Sequence, residues 1–177
     1  MDINSFIENV NSVDWQKFDD DRYFRYRFDG INSFAQIVPQ SLIALALAER
    51  ESEEGICQVA GIIPDLLLNA SITSSVMFAI GNDHSGTYYP VIRSALPFII
   101  QIALSGNHVV SKNCAINILI DLYNFCPEDG SNELMEFVQK TIKDMIIENK
   151  ESFHKFAVDD VRNKSLIESL TSIVDEL

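Results

Sequence analysis

A chain of 177 residues fits one domain, and at that size folding hides roughly 70% of the surface that the unfolded chain exposes. With 47% hydrophobic and 22% charged residues, seven glycines and five prolines, the composition excludes a disordered chain. The net charge of −13 is a field that repels nucleic-acid phosphates and anionic membrane surfaces.

Phe6, Val10 and Val13 predict a short N-terminal helix. After Asp19-Asp20-Asp21, Phe24, Tyr26 and Phe28 alternate with Tyr23, Arg25 and Arg27. This period of two reads as an extended segment over 22–28, with a helix as the competing assignment. Asp29-Gly30 ends the segment by turn chemistry, and Asn32 or Ser33 can cap the helix that follows. From Pro39 onward the helical signal strengthens through Leu42, Ile43, Leu45 and Ala46, and it closes at the charged run 49–54. The acids of that run can open a next helix, whose apolar face Ile56, Val59, Ala60 and Ile63 continues to Pro64. There the proline starts a new helix or kinks the old one.

Past Ser71 a helix is predicted through Val76, Met77, Phe78 and Ile80, with Gly81 as its C-cap and a loop over 82–86. Another runs from Tyr88 to Leu104, with Pro90 near its start and Pro97 inside. Gly106-Asn107 breaks the pattern, which resumes over 109–124 with Val110, Cys114, Ala115, Ile118, Leu119 and Leu122 on one face, and Pro127 to Gly130 stops it. Two amphipathic helices close the chain, one striped by Leu134, Val138, Ile142 and Met145, the other by Leu166, Leu170 and Ile173, with Asn163 as its cap. Roughly seven to ten helices with short connections argue for an all-α single domain of stacked antiparallel helices. It divides into an N-terminal cap (1–32), a core (33–125) and C-terminal helices (126–177).

Charge follows the same division. Residues 55–120 carry Asp65, Asp83, Arg93 and Lys112 and are neutral overall, as expected of a packed centre. Residues 121–177 hold six basic against thirteen acidic side chains, so the acid sits on the flanks. It either steers basic partners or serves solubility. Cys57, Cys114 and Cys126 are an odd number without C-x-x-C spacing, read as buried free thiols of a reducing compartment. The residues after Met1 lack the basic and apolar regions of a signal peptide, so a cytoplasmic location is expected, away from membranes.

Few residues invite chemistry. His84 stands beside Asp83 and Ser85, but sequence neighbours point apart and do not make a triad. His84, His108 and His154 are too far apart in sequence for a metal-ligand motif, and no glycine-rich phosphate loop is present. No catalytic residue, metal or cofactor is assigned, and the chain is not read as an enzyme.

Pro64 and Pro97 are 33 residues apart, each preceded by two apolar residues, the sign of a helical-pair repeat. Pro97, then Val109-Val110-Ser111-Lys112-Asn113-Cys114-Ala115, then Leu119 and Leu122 resembles a HEAT repeat: proline in the first helix, a basic residue and leucines in the second. The segment 84–98, with His84-Ser85-Gly86, Tyr88-Tyr89 and Pro97-Phe98, is similar to a group of bacterial HEAT-like proteins. Some of these resemble immunity proteins of polymorphic or contact-dependent toxin systems. The resemblance covers residues 55–125 and implies a short α-solenoid that neutralises a basic toxin, such as a nuclease, by direct binding. The alternative is a HEAT-repeat scaffold or adaptor. HEAT-like DNA glycosylases need a basic groove, which thirteen Lys and Arg residues do not supply here, so nucleic acid is not an expected partner.

In a solenoid, equivalent ends of successive helix pairs lie side by side. Asp83, Tyr88 and Tyr89 come from one inter-helix region, and Asp121, Tyr123, Glu128 and Asp129 from the end of the next repeat. The two groups are therefore expected to share a rim that contacts the partner, with the tyrosines as anchors. The competing account packs the tyrosines between helices and leaves the acids in water.

Overall fold

The computed structural model describes residues 1–24, 33–51, 57–58, 72–159 and 161–175. Helices dominate: α1 (Ile3–Ser12), α2 (Asp21–Phe24), α3 (Phe34–Ala46), α4 (Ile72–Ile80), α5 (Ile92–Ser105), α6 (Val109–Asn124), α7 (Asn132–Glu148), α8 (Lys150–Asp159) and α9 (Val161–Asp175). Between them lie the two-residue strands β1 (Arg50–Glu51), β2 (Cys57–Gln58), β3 (Gly81–Asn82), β4 (Thr87–Tyr88) and β5 (Cys126–Pro127). The fold is all-α in class, with short strand pairs that the sequence did not announce. Among the described residues, no helix is long and apolar enough to cross a membrane.

Side-chain caps open α1, α3 and α7, whereas α5 and α6 start without one. Asp2 accepts from the Asn4 and Ser5 amides at 3.0 and 3.5 Å to open α1. Ser33 accepts from Ala35 at 3.1 Å, and Asp19 accepts from the amide of Phe34 at 2.8 Å, so two oxygens serve the first amides of α3. Ser131 accepts from Leu134 at 3.2 Å to open α7. Each such cap is worth about 1 kcal/mol.

The helices pack in pairs, α3 on α4, α5 on α6 and α8 on α9. Further contacts join α3 to α5, α4 to α6, α5 to α7 and α6 to α9. A continuous core results, with Leu42 and Leu45 of α3, Val76 of α4, Leu96 and Ile99 of α5, Ile118 and Leu119 of α6, and Val138 and Ile142 of α7 all fully buried. α1 closes one side: the Phe6 ring meets Phe98 edge-on at 5.7 Å, and Trp15, 6.2 Å from the same ring, donates its indole N–H to the carbonyl of Val10 at 2.9 Å.

Pro39 lies five residues after the first residue of α3, and Pro97 five after that of α5. Each ring removes one hydrogen bond from its helix and bends it. At this offset of 58 residues some buried positions line up, such as Ile37 with Ala95, Val38 with Leu96, Ala44 with Ile102 and Leu45 with Ala103, whereas Pro39, Leu42 and Ala46 are buried where Pro97, Ile100 and Leu104 are not. The two prolines differ in burial, Pro39 being buried and Pro97 exposed, and Pro64 lies outside the described residues.

Several boundaries differ from expectation. Over 22–28 the extended segment is replaced at its start by α2, because the Asp20 carboxylate accepts the Arg22 amide at 3.0 Å and the Asp20 carbonyl accepts the Tyr23 amide at 2.9 Å; positions 25–28 lie outside the described residues. Glu51 belongs to a strand rather than to a helix start. Gly81 and Tyr88 are strand residues, and α5 begins only at Ile92. α8 was not foreseen at all. Asn163 is no cap: it is buried in α9, accepts from Asn113 Nδ2 of α6 at 3.1 Å and donates to the carbonyl of Phe156 in α8 at 3.3 Å. Cys114 is buried as expected, whereas Cys126 is exposed because it falls on β5.

Candidate interaction surface

The connection between α4 and α5 folds back on itself as an antiparallel pair, Gly81 opposite Tyr88 and Asn82 opposite Thr87. Glycine at 81 is required by the close approach: a Cβ there would stand 2.2 Å from the carbonyl oxygen of Thr87. A 3-10 turn over Asp83–Ser85 closes the hairpin, ended by Gly86 at φ 65°, a conformation that favours glycine. On the other side β4 pairs in parallel with β5, Thr87 opposite Cys126 and Tyr88 opposite Pro127. The amide of Cys126 donates to the Gly86 carbonyl at 3.1 Å, and that of Glu128 to the Tyr88 carbonyl at 2.9 Å. The α4–α5 and α6–α7 connections thereby form one three-stranded sheet, β3-β4-β5.

Successive side chains of a strand point to opposite faces. Thr87 donates its hydroxyl to the Glu128 carboxylate and is paired with the Ser85 hydroxyl at 2.9 Å, so it fixes Glu128 from the outer face. Tyr88 turns inward and is fully buried, its hydroxyl without a hydrogen-bond partner among the described residues. Burial, with Cys126 as a lesser contributor, pushes its hydroxyl up to about 12. Tyr89 is buried as well, its ring 4.7 Å from Tyr23 and 5.9 Å from Phe34. Both tyrosines therefore belong to the core, and their expected role as surface anchors is corrected: alternation and the aromatic cluster under α2 take their rings away from solvent.

The acids fare differently. Asp83 is exposed on the 3-10 turn, and Glu128 and Asp129 are exposed on the turn before α7. Asp129 accepts the Ser131 amide at 3.0 Å, which holds the turn in place ahead of the α7 cap. Asp121 is half-buried in the last turn of α6. Burial raises its carboxyl above the ordinary range, and the like charge of Asp83 raises it further. Tyr123 is also half-buried, with Lys143 Nζ 5.6 Å from its ring centre, so a cation of α7 already occupies one face. Of the seven residues singled out, four carboxylates, Asp83, Asp121, Glu128 and Asp129, are gathered around the small sheet.

Residues without an earlier assignment complete the surroundings. Thr87 and Ser85 orient Glu128, and no periodicity of a two-residue strand could have pointed to them. Asp20 binds Arg22 at 2.6 Å, and the guanidinium holds its carboxyl down at about 2. Tyr23, raised chiefly by burial, also feels Asp129, so α2 borders the same turn. Asp20 is thus neutralised locally. Among the described residues, no group of three or more His, Cys, Asp or Glu side chains could hold a metal ion.

No protein-family model, curated protein or solved structure matches the chain.

Proposed function

We propose that the chain is an acidic immunity protein that neutralises a basic toxin, of the nuclease kind, by presenting the carboxylates around the β3-β4-β5 sheet to the toxin's cationic groove. One observation carries this reading: two connections separated by a whole helix pair are hydrogen-bonded into one sheet, which holds Asp83, Glu128 and Asp129 on an ordered frame. A fixed array of charges loses little conformational freedom on binding, and in a chain of net charge −13 it attracts a cationic partner over long range. Pairwise stacking of α3/α4 on α5/α6 supports a short HEAT-like solenoid as the frame. Anchoring falls to the carboxylates instead of Tyr88 and Tyr89.

The test is genetic and then physical. The gene upstream of this one is expressed alone, and is expected to kill cells unless this protein is co-produced. The variant D83N/E128Q/D129N is expected to lower the association rate at low salt by about tenfold and to weaken rescue. A harmless neighbouring product, or full rescue by the triple variant, would sink the proposal.

A further inference from the structure

A groove of about 970 Å³ lies where α8 and α9 fold against the C-terminal end of α7, the opposite end of that helix from the small sheet. Its floor is apolar. Ile146 and Ile167 are buried there, but Ile147 and Val158 stand 58% and 75% exposed, two of the three exposed large hydrophobic residues among those described. Helical spacing accounts for the exposure: α8 buries Phe153 on its inner face, and Val158, five residues on, falls off that face.

The lining of this groove carries a formal excess of one positive charge in a chain of net charge −13. Lys150, Lys155 and Lys164 line it beside Glu151 and Glu168, and Glu168 is 3.8 Å from Lys164. Three basic residues face two acidic ones here, leaving ten basic against twenty-four acidic in the remainder of the chain. An apolar trough lined by three helices and bordered by lysines matches an amphipathic helix that places its own apolar stripe in the trough and carboxylates on the lysines.

We infer that this groove docks a helix of a partner protein, apolar on one face and acidic on the other. The inference is independent of the toxin reading: it concerns another surface and a partner of opposite sign.

The experiment uses the full chain and two labelled helical peptides of about eighteen residues, roughly five turns. They share leucines at i, i+3, i+4 and i+7, with glutamates on the polar face of one and lysines on that of the other. Fluorescence anisotropy is expected to show the glutamate peptide binding at least about tenfold tighter than the lysine peptide, and releasing as salt rises from about 0.1 to about 0.5 M. I147E/V158E is expected to lose about tenfold in affinity with unchanged circular dichroism, and K150E/K155E to narrow the difference between the peptides. Equal binding of the two peptides, or full binding by I147E/V158E, would overturn the inference. So would saturable binding of oleate with neither peptide bound, which makes the groove a small-molecule site. A dimer in sedimentation that I147E/V158E abolishes would overturn it as well, since the occupant would then be a second copy.

Discussion

Tyr88 carries a hydroxyl into the core and finds no partner for it among the described residues. Leaving such a group dry costs about 1–3 kcal/mol. Tyr88→Phe is therefore expected to raise stability by about 1 kcal/mol in urea unfolding. The folded hydroxyl titrates near 12 against an ordinary value of 10.0, so the folded state keeps its proton where the unfolded chain releases it. Stability of the native sequence falls as pH rises above the unfolded value, and Tyr88→Phe removes that loss.

Asp121 has the same sign and the same first cause, with the like charge of Asp83 added. Its carboxyl is raised by burial and by Asp83, so at neutral pH the folded state holds at a cost a charge that the unfolded chain leaves in water. Asp121→Asn is expected to stabilise the fold at pH 7, with the gain shrinking as pH falls through the titration range of Asp121 and vanishing once the carboxyl is protonated in both states. If the rim binds a cationic partner, the same substitution weakens that complex. Opposite movement of stability and affinity, measured by thermal unfolding and titration calorimetry, distinguishes a binding carboxylate from one that merely faces water.

At the scale of elements, α1 is tied down by a few aromatic contacts. Phe6→Ala empties a fully buried site and is expected to cost about 3–5 kcal/mol. Trp15, the single tryptophan, is 3% exposed and reports the result: its emission shifts to the red if α1 leaves the stack, while helicity of the remainder persists. What could be read in advance follows the same division. α6 and α7 were legible because their apolar residues recur at helical spacing over four turns, and Ser33 because a cap precedes its helix by a fixed distance. α8 was not, since Phe153, Phe156 and Val158 mix buried and exposed positions. α2 misled through aromatic alternation, because the Asp20 cap outweighs a period of two over so few residues. The small sheet escaped altogether, as two-residue strands carry no pattern. Hence the sheet that joins the two connections was not foreseen, and the buried Tyr88 follows the competing account, in which the tyrosines pack between helices.

For the whole molecule the net charge of −13 works against compactness, because like charges are closer together in the folded state. Screening by salt relieves this. Raising salt from about 0.01 M to about 0.15 M shortens the Debye length from about 30 to about 8 Å, and the melting temperature is expected to rise by a few degrees, about 2–4 °C for each kcal/mol gained. A flat or falling melting temperature in a scanning calorimeter would mean that local pairs such as Arg93 with Glu133, 2.9 Å apart, already offset the repulsion.

The parallel pairing of β4 with β5 also sets a timetable. A ribosome delivers Thr87 well before Cys126, and the two can meet only after α5 and α6 have been made and folded back on each other. The carboxylate edge is thus assembled only once the central helix pair has closed, as a certificate of that closure. If a partner reads this edge, it passes over chains in which that pair is still open.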